Sequence, residues 1–122
     1  ILIPTGNLAD KRITTLLMQN HEVFPVEVYR TKMTGQPDRK AMDLISSGTY
    51  DMILFLSPSA FHNFLNICHP VLKKKRYRLG CIGQTSAKAI TAAGFMPDLI
   101  AGGKGIDDLL YHLEKHYTEV LT

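Results

Sequence analysis

Tyr50–Asp51–Met52–Ile53–Leu54–Phe55–Leu56, YDMILFL, is a near-continuous apolar run that stops at Ser57–Pro58. A strand with one wet face alternates apolar and polar residues, whereas a strand covered on both faces has no need to. The run therefore reads as a strand of a parallel sheet flanked by helices. Pro58 suits the first turn of a helix, where its missing N–H would have had no partner anyway. Ala60, Phe61, Phe64, Leu65 and Cys68 then give that helix an apolar face.

Toward the C-terminus the same strand-to-helix unit recurs. Arg78 to Ile82 is a strand, and Gly83–Gln84–Thr85–Ser86 opens a helix through Ala93 with Gly94 as its cap. Pro97 to Ala101 is a last short strand, and Gly102–Gly103–Lys104–Gly105 is a loop. Ile106 to Val120 is an amphipathic helix with Leu109, Leu110, Leu113 and Tyr117 inward. Toward the N-terminus, Asp38 can cap a helix through Ser47 that buries Ala41, Leu44 and Ile45. Residues 31–37 are polar with Gly35 and Pro37 and form the loop or hinge. Glu22 to Arg30 reads as a strand, since Val23, Phe24, Val26, Val28 and Tyr29 are β-branched or aromatic. Ile13, Leu16, Leu17 and His21 recur at helical spacing over roughly three turns. Ile1 to Pro4 is a short strand ended by the turn cluster Thr5–Gly6–Asn7.

Five strands, each followed by a helix, with right-handed crossovers, make a doubly wound α/β fold with a flavodoxin-like five-stranded parallel sheet of order 2-1-3-4-5. The chain is expected to form a single α/β domain over residues 1–122: a β-α-β unit at 1–30, a hinge at 31–37, and the remaining β-α repeats at 38–122.

A chain of 122 residues can bury one core but not two. With 45% hydrophobic and 20% charged residues it is globular in composition rather than disordered. The net charge of +3 comes mostly from Lys73–Lys74–Lys75–Arg76 with Arg78. That run reads as a solvated basic turn and is too local to argue for nucleic acid. Cys68 and Cys81 are too few for a disulfide framework and sit among apolar neighbours, so buried reduced thiols are expected. No apolar stretch has the length to span a bilayer, and no secretory pattern is present, which points to a reducing, cytoplasmic setting without membrane contact. The chain starts at Ile1 inside a strand-like run without methionine, so a longer parent protein is expected.

In open parallel sheets the ligand lies beyond the carboxyl ends of the strands. Those ends carry Thr5–Gly6–Asn7, Ser57–Pro58–Ser59, Gly83–Gln84–Thr85–Ser86 and the GGKG loop, rich in hydroxyls, amides and glycine and nearly free of carboxylates. The first three precede or open helices, so backbone N–H groups and positive dipole ends would face the crevice and favour an anionic ligand. For any single Ser or Thr the simpler reading is an N-cap. No GxGxxG follows a strand, GGKG lacks P-loop spacing, GxSxG is absent, and no acid–base carboxylate pair stands out among Asp51, Asp98, Asp107 and Asp108. His21, His62 and His69 are scattered; His112 and His116 share a helix face but have no third ligand nearby, so no metal site is expected. From chemistry alone the chain binds an anionic small molecule.

Three segments, in order, resemble the uroporphyrinogen-III synthase family. Ile1 to Thr31, ILIPTGNLADKRITTLLMQNHEVFPVEVYRT, is similar to the family's strand, Gly-Asn or Arg-Gly turn, helix and strand ending in Val-Tyr-x-Thr. Tyr50 to Phe64, YDMILFLSPSAFHNF, resembles its Asp-x-hydrophobic-Ser-Pro-Ser-Ala segment, and Cys81 to Ala101, CIGQTSAKAITAAGFMPDLIA, its Ile-Gly-Pro-Thr-Thr-Ala…Gly…Pro block. The pattern is broken at Gln84, where proline is usual, and at Ser86, where a second threonine is common.

The resemblance implies a HemD-like domain from a protein of two α/β domains joined by a two-stranded linker. It implies a lyase (a hydro-lyase of haem, porphyrin and tetrapyrrole biosynthesis) that closes the linear tetrapyrrole hydroxymethylbilane with inversion of its last ring and loss of water. No metal or organic cofactor is implied. Tyr29 matches the family's linker tyrosine, thought to help the hydroxyl leave. Thr5, Gly6, Ser57, Ser59, Gly83, Thr85 and Ser86 are the expected substrate contacts, the hydroxyl-bearing ones toward its carboxylates. The chain would hold pieces of both domains, so it either folds back on itself as a monomer or exchanges Ile1–Arg30 with a second copy in a homodimer, and alone it would be inactive. The rival readings are a flavodoxin-like small-anion-binding or receiver-type module without catalysis, and one lobe of a sugar- or amino-acid-binding protein. Thr5–Gly6–Asn7 carries no acidic pair, which counts against a receiver.

Overall fold

The computed structural model describes residues 1–33, 35–72 and 77–121, with backbone alone at 69–72 and 120–121. Part of the expected hinge, at residue 34, and the basic run at 73–76 lie outside the described residues. The chain divides into two compact units, Ile1–Met33 and Thr34–Thr122, at a boundary inside the expected hinge.

The first unit is a β-α-β motif: β1 (Leu2–Gly6), α1 (Arg12–Leu17) and β2 (Phe24–Tyr29). β1 and β2 are parallel, in register from Leu2 opposite Phe24 to Thr5 opposite Glu27, and then shifted so that Gly6 faces Tyr29. The helix is shorter than the roughly three turns expected, and none of its residues is buried. Short helices owe their stability to packing of an apolar face, and Ile13 and Leu16 stay exposed here. Thr14 and Thr15 are β-branched and poor helix formers as well. Phe24, Val26 and Val28 are likewise exposed, so β2 lacks the buried face that its composition suggested.

The second unit contains α2 (Arg39–Ser47), β3 (Ile53–Phe55), α3 (Pro58–Leu72), β4 (Leu79–Cys81), α4 (Gln84–Ala92), β5 (Leu99–Ile100) and α5 (Ile106–Leu121). Its three strands are parallel in the order β3-β4-β5. The pairs Ile53–Leu79, Phe55–Cys81 and Cys81–Ile100 set the register. The mixed α/β class with parallel sheets is as expected, but the continuous order 2-1-3-4-5 is not found. The strands form one sheet of two and one of three, and no ladder joins β1 to β3 among the described residues. A physical reason is visible in the strands: Pro4 removes a backbone donor from β1 and Pro25 one from β2. In the expected order β1 would be a central strand, a position from which proline is nearly excluded. The structure is of one copy and lends no support to an exchange of the first unit.

The core of the second unit is Phe55, Phe61, Cys68, Tyr77, Leu79, Cys81, Ala87 and Ile90. Phe61 meets Phe55 edge to face at 5.1 Å and Phe95 at 6.1 Å between ring centroids. α2 adds the expected Ile45 to this cluster together with Met42, whereas the expected Ala41 and Leu44 are exposed. A smaller cluster of Leu99, Ala101 and Leu109, with Leu113 against it, seats α5, whereas Leu110 is exposed. Leu54 and Leu56 are exposed too, so the apolar run is covered on one face more than the other. No described helix is long and apolar enough to cross a membrane.

Local signals fixed the helix ends. The Asp38 carboxylate accepts the Ala41 N–H at 2.9 Å, capping α2, and Gly94 takes a positive φ of 85° where α4 stops. Asp38→Ala should therefore lower unfolding free energy by about 1 kcal/mol, read from urea titration. An unchanged midpoint would mean that the cap contributes nothing.

Candidate functional site

The carboxyl end of the first unit is built on two neighbours in sequence. Gly6 is buried because the Tyr29 ring occupies the place where a side chain would stand: a Cβ on Gly6 would overlap ring carbons Cε2 and Cζ and lie 2.8 Å from the hydroxyl. Asn7 donates its backbone N–H to the Tyr29 carbonyl at 3.3 Å. Its side-chain amide takes both backbone groups of Thr31, donating from Nδ2 to the carbonyl at 3.0 Å and accepting the N–H at Oδ1 at 2.7 Å. Tyr29 itself is 63% exposed, and its hydroxyl has no hydrogen-bond partner among the described residues. Thr5 turns its hydroxyl to the Val26 carbonyl at 3.4 Å, within the sheet.

An open cavity of about 440 Å³ lies beside these residues, lined among others by Thr5, Gly6, Asn7, Lys11, Thr14 and Glu27. Its polarity comes from hydroxyls and amides with charges of both signs. Arg12 is tied to Asp10 and Arg30 to Glu27, whereas Lys11 has no ion pair among the described residues. The expected helix dipole is missing at this loop. α1 starts only at Arg12, after Leu8–Lys11, and its two turns or fewer give no dipole end to speak of.

In the second unit Ser57, Ser59, Gly83 and Thr85 flank the carboxyl ends of β3 and β4. Ser57 accepts the Ala60 N–H at 3.1 Å and lies 3.0 Å from the Ser59 hydroxyl, so it caps α3 while remaining partly accessible. Thr85 is exposed in the first turn of α4. Ser86 is not on this rim: it is 2% exposed, on the same inner face of α4 as Ala87 and Ile90. Gly83 also does other work than expected. A Cβ there would lie 2.9 Å from the Gly103 Cα, so the glycine lets two loops touch rather than opening room for a ligand.

A carboxylate stands where the loops looked free of them. Asp108, in the first turn of α5, sits against Gly102, where a Cβ would meet its Oδ2 at 3.0 Å. That oxygen is buried without a hydrogen-bond partner among the described residues, while Oδ1 lies 3.6 Å from His112 Nε2. His112 thus faces Asp108 one turn away. Among the described residues no three His, Cys, Asp or Glu come together as a metal site would require. Burial pushes the Cys68 and Cys81 thiols up from their ordinary range, which leaves neither as a ready nucleophile. A second cavity of about 510 Å³, at Tyr77, Phe95, Met96 and Asp98, lies at the amino ends of β4 and β5, away from the rim.

The expected residues therefore fall into two groups: Thr5, Gly6 and Tyr29 in one unit, and Ser57, Ser59, Gly83, Thr85 and Ser86 in the other. Sequence reasoning put Asn7 on the rim without giving it a role of its own, and passed over Asp108. The family model described as uroporphyrinogen-III synthase HemD matches residues 1–111 of the 122-residue chain, a span that includes both groups. No curated protein matches.

Proposed function

The chain belongs to the uroporphyrinogen-III synthase family, and from that premise we propose that it contributes to cyclising hydroxymethylbilane with inversion of the last pyrrole ring and loss of water. The observation that carries this reading to a residue is the Tyr29 ring held on Gly6, with an accessible hydroxyl that has no partner among the described residues. The phenol donates a hydrogen bond to the terminal hydroxyl of the substrate, which departs as water once it takes the proton. The electrophilic azafulvene left behind is attacked by the last ring through its substituted carbon, giving a spiro intermediate. That intermediate breaks and recloses with the ring inverted. The proton lost from the final ring carbon restores the phenol, so the sum is one carbon–carbon bond made and one water released.

Most of the rate in such a reaction comes from folding a flexible polycarboxylate into reactive shape. Ser57, Ser59 and Thr85 supply neutral donors for substrate carboxylates, and Lys11 an ammonium in the first unit's cavity. Thr5, Gly6 and Gly83 act through loop shape, and Ser86 from inside the first turn of α4. A two-stranded sheet with exposed apolar side chains is not an independently stable layer. On this reading the chain on its own has little or no activity.

The test supplies hydroxymethylbilane to the full-length protein carrying this chain and separates the oxidised uroporphyrin isomers. Type III product is expected, with kcat about tenfold lower in Tyr29→Phe, the loss of one hydrogen bond to a developing charge. Type I product alone would leave a ligand-binding module of the same fold. A Tyr29→Phe protein at full rate would place the proton donor elsewhere.

A further inference from the structure

The parallel ladder of the first unit is not regular at its carboxyl end. Thr5 faces Glu27 but the next residue, Gly6, faces Tyr29, so Val28 is an extra residue on β2. A bulge of this kind re-aims the side chains that follow it. Because strand side chains alternate with a period of two, losing the bulge would turn Tyr29 to the opposite face. The ladder bond that fixes the shifted register is long, 3.3 Å from the Asn7 N–H to the Tyr29 carbonyl. The shorter contacts belong to the Asn7 side chain, at 2.7 and 3.0 Å to the N–H and C=O of Thr31. They continue the pairing of the strands past the end of β2, with a side-chain amide standing in for a backbone one. Only an amide offers the acceptor and the donor together at this length.

We propose that Asn7 is a positioning residue for Tyr29: its amide locks the bulged register that sets the phenol on Gly6. This rests on the reading of Tyr29 as the group that helps the substrate hydroxyl leave.

Asn7→Ala and Asn7→Asp, made in the full-length protein beside Tyr29→Phe and the Asn7→Ala/Tyr29→Phe pair, test it. Aspartate keeps the acceptor for the Thr31 N–H but sets its second oxygen against the Thr31 carbonyl, so it holds only half of the clasp. Both Asn7 variants are expected to lower kcat about fivefold with KM changed less than about twofold, as for a misplaced group rather than a lost binding contact. In the Tyr29→Phe background Asn7→Ala should change kcat by less than about twofold, because residues acting through one group are not additive. Fluorotyrosine at position 29 should show a shifted fluorine resonance in both Asn7 variants. Wild-type rates in both Asn7 variants, full additivity in the pair, or an unmoved resonance would overturn the role of Asn7 while leaving Tyr29 in place. A Tyr29→Phe protein at full rate would remove the tyrosine and this proposal together.

Discussion

Phe61→Ala is expected to lower the unfolding free energy by about 3–5 kcal/mol, the range for truncating a buried aromatic. Phe61 is 0% exposed and lies at the meeting point of β3, α3 and the segment after α4, edge to face with Phe55 and Phe95. Each such aromatic pair adds about 0.5–1.5 kcal/mol beyond the area it buries, and both are lost with the ring. A domain of this size is stable by only about 5–15 kcal/mol, so the variant would sit near the threshold of folding. Equilibrium denaturation would measure the change, with Phe61→Leu as a partner that fills part of the cavity and should lose roughly half as much. A loss below about 1 kcal/mol in the alanine variant would mean that the three rings do not pack as one cluster.

That cluster was largely legible in the sequence. Phe61, Phe64, Leu65 and Cys68 recur at helical spacing, and the structure packs all of them into one core. Asp38 and Gly94 were legible for the same reason, because a helix end is decided by residues within one turn of it. Strand pairing is decided by residues far apart, and there the expected order is not confirmed. The order 2-1-3-4-5 assumed that β1 could be paired on both sides, yet Pro4 was in plain view. The length of α1 failed for another reason: a helical pattern of Ile13, Leu16 and Leu17 needs a surface to pack on, and Ile13 and Leu16 stay exposed while Leu17 is only partly buried.

The site divides along the same line. Ser86 could have been placed inside by counting: Ile90 lies four residues on, along the same face of α4, and Ala87 next to it. The meeting of Gly83 with Gly103 could not, since nothing local links two glycines twenty residues apart. Asp108 was set aside because no acid–base pair stood out with it, although an acidic residue in a helix's first turn is favoured by the dipole. The Asn7 clasp spans a sequence separation of 24 residues, and only the fold brings its two halves together.

Gly6→Ala separates activity from stability most sharply, with kcat expected to fall about a hundredfold while the protein remains as stable as before. Gly6 does not have a positive φ, so its backbone suits any residue. In such a position alanine narrows the unfolded ensemble and adds up to about 1 kcal/mol. What forbids the methyl is the Tyr29 ring, since a Cβ would overlap Cε2 and Cζ. The ring must leave, and a reactive group displaced by about 1 Å can cost two orders of magnitude in rate. The loss exceeds that of Tyr29→Phe because a displaced ring also takes space that the substrate needs, whereas a missing hydroxyl leaves the ring where it was. In a Tyr29→Ala background there is no ring to displace, so adding Gly6→Ala should change the rate by less than about twofold. Rate measurements on the two pairs, with unfolding curves beside them, would decide the matter. Full activity in Gly6→Ala would mean that the ring position on Gly6 is not the one in which the hydroxyl is lost.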